Sequence, residues 1–341
     1  MEKELSYFIP SVENGFRARN AICARLKESL EHIFEQCSGH IDFDQSRANE
    51  LLSRLNDDTQ LPPSLYGYYF ALVRAIQNED LQEAGNLLDS VLGYADSPTV
   101  SFRIRPFNRN GFCAEEEAQV RSQFVSESLL DEQITHLGEA VEDSILDQLQ
   151  RAIDLLRQHA PRTYSEIDTY LAEIIAAKGN AVDGIIFDGC SSLERWGSIL
   201  VNATLPRTDL ELAEAIVHEC SHNILFAMAP VDFHVLNDPQ ERYKSPLRID
   251  PRPMNGIYHA TFVLSRMCFA MYEVANSPTV EAALGDEARK LENTSRELFH
   301  DGYRILEEHA AYTEEGEKIM LAAAHYMERE EREGDGVSFP Q

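Results

Sequence analysis

Positive charge is scarce in this 341-residue chain: 30 lysines and arginines stand against 58 aspartates and glutamates, a formal net charge of −28. So acidic a surface repels phosphate backbones, and no basic stripe overrides it, which excludes nucleic acid and anionic membrane as expected partners. A cationic peptide or a metal ion suits it better. Apolar runs approaching the roughly 18 residues of a membrane span are lacking too. The opening Met1-Glu2-Lys3-Glu4-Leu5 has no basic segment followed by an apolar one, so no signal peptide is expected. The six cysteines, Cys23, Cys37, Cys113, Cys190, Cys220 and Cys268, form no CxxC pair and no framework spacing. Free thiols in a reducing, cytoplasmic setting are the expectation. Internal repeats and low-complexity tracts are missing as well. What is there is 43% hydrophobic, ample for a buried core, which excludes global disorder.

The apolar spacing predicts a mainly α, helical protein with a few short β-strands. Residues Val12–Cys37 carry Ile22, Leu26, Leu30, Ile33 and Phe34 at helical intervals, and Gln45–Leu55, Pro63–Gln77 and Leu81–Tyr94 follow suit. Alternation over Thr99–Phe107 predicts a strand, with a turn at Asn108–Phe112. Further helices are expected over Val141–Gln158 and Tyr164–Ala177, and strands at Gly184–Phe187 and Gly197–Val201. A helix capped by Thr208 or Asp209 is expected to reach Met228, another runs from Met254 to Ala275, and the remainder from Val280 to Met327 reads as helical and charged. The organisation read from this pattern is an N-terminal helical region at 1–140, a catalytic domain at 141–330 and a flexible acidic tail at 331–341.

One segment carries chemistry. His218-Glu219-Cys220-Ser221-His222 is an H-E-x-x-H motif inside a predicted helix. Residues four apart are rotated by only about 40° at helical pitch, so both imidazoles can reach one ion. Chance would place such a motif in roughly 3–4% of chains of this composition. The surrounding Ile216, Val217, Ile224, Leu225 and Phe226 argue for an apolar setting, where an unpartnered imidazole pair is costly and metal ligation offsets that cost. Cys220 points elsewhere on the helix and reads as a small core residue.

An open metal site needs a third protein ligand. The metzincin extension requires Gly and His where Leu225 and Met228 stand. A thermolysin-like site would take Glu241, in a loop, or Glu273, on the Met254–Ala275 helix. His259 lies on the same helix among apolar residues and is the favoured ligand, with His234 second choice. His300 and His309, nine residues apart, do not share a helical face. Just upstream, Arg248 and Arg252 lie in the loop Tyr243–Pro253. Their planar forks suit a carboxylate-bearing ligand, with internal salt bridges as the competing use.

These pieces resemble a known family. Val141–Lys178, Gly197–Val201, Leu212–Glu219, Ser245-Pro246-Leu247-Arg248, Asp250–Ala260 and Tyr312-Thr313-Glu314-Glu315-Gly316 together look like the HExxH-type 2-oxoglutarate/Fe(II)-dependent peptide β-hydroxylases, which are associated with ribosomally made, modified peptides. Leu247 departs from the pattern, which has an aromatic before the arginine. The resemblance implies a mononuclear Fe(II) centre held by His218, His222 and His259. It also implies 2-oxoglutarate as cosubstrate, with Ser245, Arg248 and Arg252 as contacts, and hydroxylation of a peptide side chain. Three nitrogen ligands leave three octahedral positions, enough for a bidentate 2-oxo acid and dioxygen. Glu219 would orient a ligand or support the helix. The alternative is a zinc metallopeptidase in which Glu219 is the general base. The N-terminal region has no such match; leader-peptide recognition, buttressing and a homodimer contact are its candidate roles.

Overall fold

The computed structural model describes residues 8–55, 60–125, 131–182, 184, 186–228, 234–247 and 250–333. The protein is mainly helical with a small mixed sheet, as the apolar spacing predicts. Two compact units are interleaved along the chain. One takes Met1–Asn14, Ala152–Glu166 and Leu210–Gln341, the other Gly15–Arg151 and Ile167–Asp209. The boundary expected at residue 140 falls inside the second. No helix among the described residues is long and apolar enough to cross a membrane. All six cysteines are free.

The second unit begins with helices α1 (Val12–Cys37), α2 (Gln45–Arg54), α3 (Ser64–Gln77) and α4 (Leu81–Leu92). Asp44 caps α2 by accepting from the Ser46 and Arg47 amides, at 2.9 and 3.2 Å. The sheet follows, with β1 (Arg103–Pro106), β2 (Ile134–Thr135), β3 (Glu173–Gly179), β4 (Gly189–Ser191) and β5 (Ser198–Asn202), interrupted by α5 (Ala114–Phe124), α6 (Glu139–His159) and α7 (Pro161–Asp168). Strand order is β1-β3-β5-β4, with β1, β3 and β5 parallel and β4 antiparallel, while β2 pairs with the far end of β3.

Here the expectation of one helix over Tyr164–Ala177 is corrected. The helix stops at Asp168, and Glu173–Gly179 is the central strand. Ile174, Ile175, Ala176 and Ala177 are all fully buried, as a strand covered on both faces requires. A short unbroken apolar run has no period that separates buried strand from buried helix. The strand expected at Gly184–Phe187 is also displaced. Ile185 lies outside the described residues, Gly184 turns at φ +77°, and the strand of this stretch is Gly189–Ser191. Trp196, the only tryptophan, is buried against Tyr66 and Tyr170 in this unit.

Glu173 opens β3 and is completely buried. It accepts from Arg195 Nη2 and Nε at 2.6 and 2.9 Å and from Ser198 Oγ at 3.1 Å, with Arg105 and Arg103 farther out. Burial pushes this carboxyl up, but the charges of Arg195 and Arg105 outweigh that and hold it below the usual range.

The first unit is built on α8 (Asp209–Met228), α9 (Met254–Ala275), α10 (Ala282–His309) and α11 (Glu314–Glu333). The first two match their expected spans. The stretch from Val280 to Met327 carries helix as expected, as two helices separated at Ala310–Thr313, and helix continues to Glu333 where a frayed tail was expected. Residues 334–341 of that tail lie outside the described residues. α9 and α10 pack closely: a Cβ on Gly302 would meet Thr261 Oγ1 at 2.3 Å. Arg266 fastens α9 by a buried ion pair to Glu166 and a 2.6 Å bond to the Phe8 carbonyl.

Candidate metal centre

The HExxH segment occupies the middle of α8, where Ile216, Val217, Cys220, Ile224 and Leu225 are buried. The apolar face holds the helix, and the four-residue spacing sets His218 and His222 side by side, their ring centres 5.1 Å apart. His259 reaches them from the second turn of α9. Its ring stacks at 5.6 Å on His222, and Phe226 flanks both, at 6.3 and 5.7 Å. The loop residue His234 joins on the other side, meeting His259 edge to face at 5.9 Å. The structure thus brings together the two motif histidines, the favoured third ligand and the second choice.

Burial disfavours the charged form of three of these imidazoles, His222, His259 and His234. His222 lies well below the ordinary histidine value, because burial and then the neighbouring His218 and His259 disfavour its charge. Burial, then His234, takes His259 down to about 3, and burial alone takes His234 to about 4. A neutral ring is the form that ligates a metal. Two imidazoles each bound through a nitrogen about 2 Å from one ion have ring centres roughly 5 Å apart, the spacing of both consecutive pairs along His218–His222–His259. An all-imidazole donor set suits iron, zinc or copper. As the side chains stand, no three His, Cys, Asp or Glu among the described residues are arranged to hold an ion.

The carboxylate alternatives are placed elsewhere. Glu273 lies fourteen residues beyond His259, about 21 Å along the helix at 1.5 Å per residue. It accepts from the Arg162 and Thr163 amides and the Thr163 hydroxyl at 3.1, 3.0 and 2.7 Å, closing the first turn of α7. Glu241 is exposed and accepts from Tyr243 Oη at 2.5 Å. Glu219 is buried, its carboxylate 4.0 Å from His218 Nε2. His309 packs beside Tyr243, 5.3 Å between rings, rather than in the cluster.

Of the three expected cosubstrate contacts, Arg248 lies outside the described residues. Arg252 is pinned through its backbone by two 2.8 Å bonds with Tyr243, and its Nε lies 2.9 Å from Asp250. Ser245 is buried and accepts from the Leu247 amide at 3.3 Å.

Sequence reasoning missed the frame around His234. Its carbonyl accepts from Thr313 N at 3.0 Å and Thr313 Oγ1 at 3.1 Å, and Val235 bridges to Tyr312. Gly316 comes so close that a Cβ there would sit 2.0 Å from the His234 oxygen. Tyr258 stacks flat on the His234 ring at 4.8 Å and donates to the Gly316 carbonyl at 2.8 Å. The usable signal was Thr313-x-x-Gly316 ahead of a charged helix: Thr313 is the N-cap of α11, accepting from Gly316 N at 3.0 Å.

No protein-family model matches the chain, and no curated protein matches it.

Proposed function

We propose that this protein is a non-haem Fe(II)/2-oxoglutarate-dependent oxygenase that hydroxylates a side-chain β carbon of a peptide, yielding succinate and carbon dioxide. The observation that carries the reading is the cluster of imidazoles, His218, His222 and His259, with Glu241 and Glu273 engaged elsewhere. That composition favours a three-nitrogen centre over the two-histidine, one-glutamate set of a thermolysin-like peptidase. The motif pattern, which resembles the peptide β-hydroxylases, supports the same reading.

In it His218, His222 and His259 bind the iron. When bound, the metal supplies the redox chemistry that couples oxidative decarboxylation of 2-oxoglutarate to C–H hydroxylation. Glu219, buried 4.0 Å from His218, orients that ring. Arg252, braced by Asp250, and Arg248 supply guanidinium groups for the distal carboxylate of the cosubstrate, with Ser245 in the same loop. Phe226 packs beside the His222 and His259 rings. The substrate class that suits a chain of charge −28 is a basic peptide.

The test is anaerobic addition of Fe(II) and then 2-oxoglutarate. A visible metal-to-ligand charge-transfer band is expected, and with a cognate peptide and oxygen, succinate that is abolished in His222→Ala. Tight zinc binding without the band, together with peptide hydrolysis lost in Glu219→Gln, would overturn the oxygenase and install the zinc metallopeptidase.

A further inference from the structure

His234 is 3% exposed, and its Nε2 has no hydrogen-bond partner among the described residues. Leaving such a nitrogen unsatisfied is costly, and a native fold that keeps one there has a use for it or fills it with a ligand. The position is not slack. Two hydrogen bonds from Thr313 grip the carbonyl, the Leu236 amide donates to Ala311 at 2.6 Å, and the ring lies flat on Tyr258. Tyr258 is itself tied to Gly316, so residues from two other stretches of chain fix one imidazole against His259.

A second orphan lies nearby. Asn255 Oδ1 is buried without a partner, one helical turn before His259 on α9. A ring nitrogen able to donate thus stands unsatisfied beside His259, and an amide oxygen, which only accepts, stands unsatisfied one turn earlier on the same helix. An organic acid seated at the three-nitrogen set would offer the ring N–H of His234 an acceptor oxygen, which a metal ion does not.

We propose that His234 is a ligand-binding residue: its Nε2–H donates to a carboxylate oxygen of the small acid held at the His218–His222–His259 centre. That the acid is 2-oxoglutarate rests on the oxygenase reading; that it is a carboxylate rests on the orphaned donor. His234 is then distinct from the three metal ligands, and its loss weakens the anion without weakening the metal.

The experiment uses full-length protein loaded with Co(II), whose visible spectrum reports both metal and anion binding without turnover. Co(II) alone, acetate and 2-oxoglutarate are titrated in turn into wild type, His234→Phe, which keeps the stack on Tyr258, and His234→Gln, which keeps a donor. Co(II) affinity is expected to stay within about threefold in both variants. A charge-assisted hydrogen bond corresponds to about a tenfold to hundredfold loss of anion affinity in His234→Phe, with part of it regained in His234→Gln. Wild-type anion affinity in His234→Phe overturns the proposal, since the ring then only packs. A tenfold or greater loss of Co(II) affinity also overturns it, making His234 a metal ligand. Should wild type bind acetate but not 2-oxoglutarate, the oxygenase reading fails while the acetate comparison still decides His234. No anion binding by wild type overturns both. If His234→Phe does not fold by circular dichroism, His234→Gln against His234→Ala carries the same comparison.

Discussion

Gly316→Ala sets two effects of opposite sign against each other in the frame that seats His234. Alanine is favoured over glycine in a helix by about 1 kcal/mol, and Gly316 has an ordinary helical φ in the first turn of α11, so propensity alone predicts a gain. Sterics predict the reverse. The new Cβ would lie 2.0 Å from the His234 carbonyl oxygen and 2.8 Å from its carbon, and real Cβ atoms do not come within 3.0 Å of such neighbours. Backbone on one side and a capped helix on the other must therefore separate by about 1 Å (3.0 − 2.0). That displacement strains both Thr313 bonds to the carbonyl and the 2.8 Å bond from Tyr258 to Gly316. At about 1 kcal/mol net per hydrogen bond the loss is about 3 kcal/mol, leaving about 2 kcal/mol of destabilisation after the helical gain. For a protein of this size that lowers Tm by a few degrees. Urea denaturation gives the free energy, and titration of Co(II) with acetate reports whether His234 has moved. A variant as stable as wild type, binding acetate equally well, would refute the close approach and the reasoning built on it.

Three further outcomes are expected. Glu173→Gln leaves Arg195 charged and buried and should cost about 3 kcal/mol at pH 7 in urea denaturation; an effect below about 0.5 kcal/mol would sink the buried-pair account. Because Glu173 is held below the usual carboxylate range, its contribution is complete above that range and is lost as pH falls through the lowered value, so the gap between wild type and variant should narrow below the usual carboxylate range and close only below the lowered value. Gly302→Ala should destabilise through Thr261 Oγ1 at 2.3 Å and be partly rescued in Gly302→Ala/Thr261→Ala, since the obstacle is a side-chain hydroxyl; equal stabilities of the single and double variants would show that the helices simply part. His259→Ala should lower Co(II) affinity more than tenfold while His309→Ala leaves it unchanged, measured by competition with a chelator; equal effects would remove His259 from the ligand set.

The parts of this protein that were legible in the sequence are those whose physics is local. Helical period placed α8 and α9 at their observed spans, because twenty or more residues with one apolar face have few other ways to bury it. The same period put His218 beside His222, a consequence of covalent spacing along one helix. Glu173–Gly179 escaped because an apolar run buried on both faces has no period, and only β1 and β5 on either side make it a strand. The break at Ala310–Thr313 escaped for a related reason: good helix formers flank it, and the chain leaves the helix to pair with His234–Leu236.

The site divides in the same way. Sequence determined the motif pair, the acidic background and the short menu of third ligands, all of which follow from residue type and interval. Tertiary structure set where the members of that menu lie, with Glu273 at the start of α7, Glu241 at the surface and His259 on α9 beside His222. It alone assembled the frame of Tyr258, Thr313 and Gly316 around His234, because contacts between stretches 58 and 79 residues apart are set by how helices pack and leave no trace in local spacing.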